Sequence, residues 1–248
     1  MTKYVLFDTE TTGNQDEDRI IQIGAMVIDA RGEVEVYDEL CSSEVPIKIE
    51  AMEVNNITPE TIQGKGNFKS TKFYNDLKVL NIEKNYLVAH NIKFDLRMLE
   101  KEGFENRMQL IDTLRCSKHL FPESPYHRLQ YFRYSLGLYK EEQKEAYKHN
   151  IIIKAHDAIG DVLVMKLLLS KIVSKIKEKY PKTHPMKKLV ELTKQPVMLQ
   201  EFRFGKYNGE KIEMVARKDM GYLKWMYKNM DLDEDMQFTL EHVMERYS

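Results

Sequence analysis

The sequence predicts an α/β fold in which helices flank a mixed sheet of five strands. Three apolar runs follow one another in the first 40 residues with only turns between them, which is typical of an antiparallel meander. Two shorter apolar runs come later, and a segment with helical spacing follows each of them. Residues 157–179 carry apolar side chains along one side and predict a long helix.

The strands are predicted from apolar runs that end at turn residues. The continuous run at residues 4–7 indicates a buried first strand, and Gly13 with the polar residues after it forms a turn. The pair Arg31-Gly32 turns the second strand into the third. The predicted strands are 3–9, 20–29, 34–40, 86–89 and 110–112.

The helices are predicted where capping residues accompany helical spacing. Pro59 after Thr58 marks a helix start, and Gly103 ends a helix that begins at Phe94. Pro181 and Pro185 interrupt the pattern and predict a linker. Further helices are predicted at 113–121, 129–138, 157–179, 186–193 and 234–247.

A small α+β module is predicted after the linker. Residues 202–207 and 211–215 flank Asn208-Gly209, a pair that favours a hairpin turn. Asp219 is placed to cap a helix on which Tyr222 and Trp225 have the spacing of core residues. The acidic residues at 231–235 either contact a partner or cap the last helix, and capping is the favoured interpretation.

Composition and charge restrict the class of protein. The 248 residues are 42% hydrophobic and 31% charged, as in an ordinary soluble domain, and the net charge of −1 is too small to attract polyanions. Cys41 and Cys116 are too few for a disulfide framework and are expected to be buried thiols. No apolar stretch approaches the roughly 18 residues of a membrane span, and the N-terminal run is too short for a signal peptide. A cytoplasmic protein with no membrane partner is therefore expected.

Two carboxylates lie on the first strand. Asp8 and Glu10 are two residues apart, so both side chains leave the same face of the sheet. Neighbouring carboxylates repel each other, and a divalent cation removes this repulsion. Oxygen ligands suit Mg²⁺ or Mn²⁺. The alternative, a polar strand end that faces water, is weakened because the strand is apolar enough to be central.

Two further blocks carry an acid and a histidine. Asp95 follows a short strand and, taken alone, reads as an acid that the helix dipole favours. His156 and Asp161 cannot share one face of a regular helix, which places His156 in the loop and Asp161 in the first turns. Asp157 is then the expected N-cap. Taken alone, His156 would be read as an ordinary loop histidine.

Together the blocks resemble the motifs of the DEDDh class of 3′–5′ exonucleases, which includes exodeoxyribonuclease X and the epsilon proofreading subunit of bacterial DNA polymerase III. Asp8 and Glu10 match the first motif, Asp95 matches the second, and His156 and Asp161 match the third. A sister class carries tyrosine where this chain has Asp157, so the histidine class is indicated. Gln22 departs from the glutamate that relatives often carry, but it is not a catalytic position.

The resemblance implies a ribonuclease-H-like exonuclease domain at residues 1–180. Residues 181–248 are similar to the C-terminal module of exodeoxyribonuclease X-like proteins. Two Mg²⁺ or Mn²⁺ ions would be held by Asp8, Glu10, Asp95 and Asp161, and His156 would take the proton from the attacking water.

The substrate-binding candidates are three residues close to these motifs. Thr11 would offer its backbone or hydroxyl to the terminal nucleotide, and Asn91 would contact phosphate. Phe94 would stack on a base or simply pack, and packing is the favoured interpretation.

These features predict a metal-dependent 3′–5′ exonuclease that releases 5′-mononucleotides from single-stranded or frayed DNA ends. The alternatives are an RNA-trimming exonuclease, a polymerase-associated proofreading subunit, and a non-catalytic module that binds nucleic acid or a polymerase. Nucleic acid is the expected partner, with DNA favoured over RNA, and a polymerase or repair protein is a second one. Basic residues outnumber acidic ones by eleven to five at 182–228 and alternate with aromatic rings, a pattern that also suits single strands.

Overall fold

The computed structural model describes residues 1–153 and 157–247, and in them it contains one sheet, twelve α-helices and a 3-10 turn at Phe68–Ser70. The strands are β1 (Lys3–Thr11), β2 (Ile20–Asp29), β3 (Val34–Leu40), β4 (Tyr86–Ala89) and β5 (Gln109–Asp112). The helices are α1 (Ile49–Asn55), α2 (Pro59–Ile62), α3 (Lys72–Leu80), α4 (Ile92–Lys101), α5 (Thr113–Leu120), α6 (Leu129–Ser135), α7 (Tyr139–His149), α8 (Ala158–Lys179), α9 (Pro185–Lys194), α10 (Ile212–Lys218), α11 (Met220–Asn229) and α12 (Glu234–Tyr247).

The sheet is mixed, as predicted, and β1 is its central strand. The strand order is β3-β2-β1-β4-β5. The pairs β1–β2 and β2–β3 are antiparallel, whereas β1–β4 and β4–β5 are parallel. Because parallel strands end at the same edge of a sheet, the acidic end of β1 and the residues that follow β4 lie side by side.

The residues of β1 alternate between two cores, one on each face of the sheet. Leu6 packs into a core with α8, whereas Val5 and Phe7 pack into a second core on the other face. Asp8 and Glu10 continue the alternation of Leu6, so they point to the face that α8 covers.

Helix α8 is held on the sheet by its apolar side. It packs against β1 and β2, and Ile159, Val162 and Leu163 are buried in the first core. Burial of each of these side chains contributes about 1.5–3 kcal/mol before entropy is counted. This packing brings the N-terminal end of α8 to the sheet beside Asp8. No helix in the described ranges is long and apolar enough to cross a bilayer.

The C-terminal residues form a third core of their own. It contains Phe202 together with side chains from α10, α11 and α12, including Leu223 and Leu240. Asp235 connects this core to the sheet domain, because its carboxylate lies 2.9 Å from Arg115 Nη2 and accepts from the backbone N–H of Val197 at 2.8 Å. The acidic run thus serves the fold, and Asp233 caps α12 through Met236 N, as the capping interpretation expects.

Helix α9 packs on the sheet domain and not on the C-terminal core. Leu189 and Leu192 belong to the core beneath α8, and α9 contacts β5 and α5. The separate C-terminal core therefore starts after α9, at about Leu199.

The predicted hairpin around Asn208-Gly209 is wrong. The chain does turn there, since Gly209 has φ +84° and its N–H donates to the Phe202 carbonyl at 2.7 Å. In the described residues after α9, however, the only pairing is an isolated bridge between Glu201 and Lys211. Residues 212–218 form α10 instead, because Ile212, Val215 and Ala216 have helical spacing and are buried together.

The prediction that Trp225 belongs to the core is also wrong. Leu223 and Met226 are the fully buried residues of α11, and the Trp225 side chain is 53% exposed. Tyr222 is half-buried, and the predicted cap is confirmed because Asp219 Oδ1 accepts from Tyr222 N at 3.1 Å. Cys41 and Cys116 are free and buried, as expected, and burial raises the pKa of each thiol to about 12.

Candidate active site

The carboxylate of Asp95 reaches the site from the helix that follows β4. Asn91 begins this helix in a left-handed conformation with φ 80°, and Asp95 lies in its first turn. Asp95 is buried, and its Oδ1 accepts from the hydroxyl of Thr9 at 2.7 Å and from the N–H of Thr9 at 3.2 Å. Because Thr9 stands between Asp8 and Glu10, these bonds fix Asp95 beside both acids of β1.

Asp161 reaches the site because the first turn of α8 presses against the sheet at Gly24. Gly24 is the register partner of Asp8 on β2. A Cβ atom at Gly24 would lie only 2.3 Å from the backbone of Ala158 and Ile159. Glycine therefore permits the close approach that places Asp161, one turn further along α8, near the acids of β1.

Replacing Gly24 with alanine is expected to push the start of α8 away from β2. Overpacking of this kind costs about 1–3 kcal/mol of unfolding free energy, because the atoms that the new Cβ would meet belong to the backbone of α8 and cannot rotate aside. Thermal unfolding measures the effect, at about 2–4 °C per kcal/mol for a chain of this size. Gly221→Ala is the matched control, since its Cβ would meet nothing closer than 3.6 Å. Equal unfolding temperatures for Gly24→Ala and the parent chain would contradict the close approach.

The four carboxylates are close enough to repel one another. Burial raises the pKa of Asp8 well above its usual value, and the charges of Asp95, Asp161 and Glu10 raise it further. Burial, followed by the charges of Asp161, Asp157 and Asp95, raises the pKa of Glu10 to about 8. Burial also raises the pKa of Asp95 to about 7. The structure thus brings Asp8, Glu10, Asp95 and Asp161 into one cluster, as the sequence predicts.

The chemistry of this cluster suits a hard divalent cation. Four carboxylates supply only oxygen ligands, and a cation would offset both the burial of their charges and the repulsion between them. Among residues 1–153 and 157–247, however, no three His, Cys, Asp or Glu side chains are positioned to hold an ion. Asp95 is held by Thr9, and Asp161 Oδ1 accepts from Gln130 Nε2 at 2.7 Å. These hydrogen bonds compete with an ion for the same oxygens.

Gln130 is a site residue that the sequence does not single out. It lies on α6, and Arg133, one turn later, donates to Gln130 Oε1 at 3.3 Å. Arg133 is held in turn by Glu142 of α7 through bonds of 2.6 and 2.7 Å. The spacing of Gln130 and Arg133 on a predicted helix was the only available signal, and it does not distinguish them from surface residues.

Gln22, which the sequence marks only as a departure from the glutamate of relatives, explains the position of Asp157. Its buried amide donates to Asp157 Oδ1 at 2.7 Å and to Asp38 Oδ1 at 2.9 Å. Asp157 occupies the N-cap position of α8, as predicted, but its carboxylate bonds to Gln22. Gln22 therefore ties the start of α8 to β2 at the level of the acid cluster. His156, the predicted base, lies outside the described residues.

The predicted substrate residues differ in how firmly their side chains are held. The Thr11 hydroxyl donates to the Gly13 carbonyl at 2.6 Å, and the Thr11 carbonyl accepts from Asn55. Asn91 is exposed, whereas Phe94 is half-buried and packs on the second core, in line with the favoured packing interpretation.

His90, next to Asn91, is a structural residue. Its ring contacts the Thr113 hydroxyl and the His127 carbonyl, each at 2.9 Å. Burial lowers the pKa of His90 to about 4, so its ring is neutral at physiological pH.

Comparison with known proteins identifies the class. Residues 5–169 match the family described as Exonuclease, which is more than half of the chain. The chain therefore belongs to the exonuclease family and is an enzyme of the 3′–5′ exonuclease class. Residues 202–231 match the family described as Exodeoxyribonuclease X-like C-terminal.

Two relatives and one solved structure are similar to the chain over much of its length. The chain is 27% identical to exodeoxyribonuclease 10 of Escherichia coli (strain K12) over 97% of this chain and 98% of that protein. It is 32% identical to DNA polymerase III subunit epsilon of Treponema pallidum (strain Nichols) over 54% of this chain and 65% of that one. A solved structure of exonuclease X in complex with 5′ overhanging duplex DNA aligns with a TM-score of 0.53 and 21% identity, over 78% of this chain and 99% of that chain. The last similarity shows the fold.

Proposed function

We propose that this chain is a metal-dependent exonuclease that removes nucleotides from the 3′ ends of single-stranded or frayed DNA and releases 5′-mononucleotides. The observation that carries the proposal is the convergence of four carboxylates from β1, α4 and α8, where burial, and then neighbouring acids, raise the pKa values of Asp8 and Glu10, and burial raises the pKa of Asp95. DNA is the proposed substrate because exodeoxyribonuclease 10 resembles this chain over nearly the whole length of both proteins.

Each acid has a proposed role that follows from its position. Asp8, Glu10 and Asp161 would hold one Mg²⁺ or Mn²⁺ ion, and Asp8 and Asp95 would hold a second. When bound, such ions supply charge that stabilises the attacking and leaving oxygens. Thr9 and Gln130 orient Asp95 and Asp161 by their hydrogen bonds. His156 would take the proton from the attacking water, and the 3′-oxygen of the preceding nucleotide would leave.

The division of the chain supports the same proposal. We assign residues 1–180 to the exonuclease domain and residues 181–248 to the C-terminal module, with α9 of that module packed on the exonuclease core. The match at 202–231 favours an exodeoxyribonuclease X-like enzyme, and we propose that this enzyme is cytoplasmic. The similarity to the epsilon subunit favours an alternative, a proofreading subunit that a polymerase or repair protein binds.

A labelled oligonucleotide digest tests the proposal. With Mg²⁺ present, a 3′-labelled DNA strand should release its label at once as a mononucleotide, and a 5′-labelled strand should shorten stepwise. EDTA should abolish both reactions, and added Mn²⁺ should restore them. Early release of the 5′ label would overturn the polarity, and hydrolysis in EDTA would overturn the metal requirement. Faster digestion of matched RNA would favour the RNA-trimming alternative.

A further inference from the structure

Three aromatic rings form a surface on the C-terminal module, which we call the stacking platform: Tyr207, Tyr222 and Trp225. Trp225 and Tyr222 are stacked, with ring centroids 6.0 Å apart and planes 24° apart. Tyr207 meets Tyr222 edge-on at 4.9 Å. The Trp225 ring is half-exposed although α11 has apolar neighbours that are fully buried, so the core does not need it.

Cations surround the rings. Lys206 Nζ lies 4.7 Å from the centroid of Tyr207, and Lys218 Nζ lies 4.5 Å from the same centroid. Lys228 is exposed and follows Trp225 by three residues, which places both on one side of α11. Asp219 holds Lys206 at 3.1 Å, and its carboxylate accepts from the Tyr207 hydroxyl at 2.6 Å. Lys218 is paired with Glu210 in the same way. These contacts hold the rings in place, and the exposed Lys228 is left to supply a cation for a phosphate.

A cleft lies between the exonuclease domain and the C-terminal module, and residues of both parts line it. Its volume is about 420 Å³, and Pro125, His127, Arg203 and Phe204 are among its lining residues. On one side, the His127 carbonyl accepts the hydrogen bond from His90, in the segment just before Gln130 and its bond to Asp161. On the other side, Gly205 follows Phe204, and a Cβ atom at Gly205 would lie 2.8 Å from the Tyr222 hydroxyl.

We propose that the stacking platform binds unpaired bases of single-stranded DNA whose 3′ end lies at the acid cluster. Bases stack on exposed rings whatever their identity, and phosphates pair with cations, which together suit an enzyme that removes every base in turn. The charge supports this occupant, because residues 182–228 carry eleven basic and five acidic side chains. The proposal rests on the proposed function and names a substrate-holding surface outside the acid cluster.

Trp225 makes the proposal directly measurable, because it is the only tryptophan in the chain. With the full chain in EDTA, a labelled dT oligonucleotide of about 16 nucleotides should quench its fluorescence as it binds. Trp225→Ala should weaken binding about 5-fold to 100-fold, the usual weight of one stacked base. Trp225→Phe should restore most of the affinity. Lys228→Gln should reduce the slope of log affinity against log salt by about 0.7, the value for one phosphate contact on a single strand.

The controls separate this proposal from the proposed function. Tyr147→Ala removes an exposed ring from α7 and should bind like the parent chain. With Mg²⁺, Trp225→Ala should raise KM for the long strand and leave hydrolysis of an oligonucleotide of about 4 nucleotides unchanged. Unchanged affinity of Trp225→Ala, or unquenched fluorescence on binding, would overturn the platform even if hydrolysis is normal. If Trp225→Ala failed to hydrolyse both the long strand and the short oligonucleotide, the defect would instead lie at the acid cluster.

Discussion

Replacing Asp8 with asparagine should lower kcat/KM on DNA by about 10³-fold or more. Asp8 is the acid whose pKa is raised by all three of its acidic neighbours, so it lies at the centre of the cluster. Loss of a shared ligand removes several kcal/mol of charge stabilisation from the transition state, and each 1.36 kcal/mol corresponds to about tenfold in rate. Steady-state hydrolysis of a labelled strand measures the loss. Asp16→Asn, in an exposed turn, is the matched control and should keep full activity.

The same substitution should stabilise the protein when no metal is present. The folded-state pKa values of Glu10 and Asp95, about 8 and about 7, lie above their ordinary values. The stability that these groups contribute is therefore fully present below about pH 4 and is lost as the pH rises through 7 and 8. Asp8→Asn removes one repelling charge, so its unfolding temperature in EDTA at pH 8 should exceed that of the parent chain by a few degrees.

The two measurements together distinguish a functional acid from a structural one. Added Mg²⁺ should raise the unfolding temperature of the parent chain at pH 8 and have less effect on Asp8→Asn, because binding to the folded state stabilises it. A variant that loses both activity and stability would mean that Asp8 serves the fold. Full activity of Asp8→Asn in Mg²⁺ would remove the acid cluster from the reaction.

The strands and the acid cluster were predictable because local patterns decide them. The second, third and fourth strands begin and end at the predicted residues, since each is an apolar run that turn residues interrupt. The alternation of β1 places Asp8 and Glu10 on one face without any knowledge of the fold. Asp95 and Asp161 were expected in the first turns of their helices, and they lie there.

Other features depend on contacts that local patterns do not contain. The hairpin prediction failed although the chain turns at Asn208-Gly209, because Ile212 and Val215 are buried in the C-terminal core from a helix and not from a strand. The orientation of Trp225 depends on which side of α11 meets α12, and helical spacing alone cannot decide it. Helices α1, α3 and α7 were not predicted.

The hydrogen bonds between the acids and the polar residues around them also join residues that are far apart in the sequence. Gln22 lies 135 positions from Asp157, and Gln130 lies 31 positions from Asp161. No local pattern indicates that either amide will meet a carboxylate of the site. Their positions follow from the packing of α6 on α8 and of α8 on the sheet.

Replacing His156 with alanine should lower kcat by about 10²–10⁴-fold, which is the usual contribution of a general base. The expectation rests on the sequence, in which His156 directly precedes Asp157. Gln22 binds the Asp157 carboxylate and so holds it against β2 at the level of the cluster. An imidazole with an ordinary pKa of about 6.5 is neutral, and thus able to accept a proton, at physiological pH. The acids that would bind metal remain in this variant, so Mg²⁺ should still raise its unfolding temperature.

The dependence of the rate on pH is the sharper measurement for His156. In the parent chain, protonation of the base should reduce kcat/KM as the pH falls through the pKa of the imidazole. His156→Ala should lose that decrease and become dependent on hydroxide, so that its rate rises with pH. His149→Gln, which replaces a histidine on α7, should keep the parent profile. The profiles are measured at saturating Mg²⁺, because protonation of Glu10 and Asp95 would otherwise weaken metal binding over the same pH range. A parent-like rate and profile in His156→Ala would then mean that water or another group takes the proton.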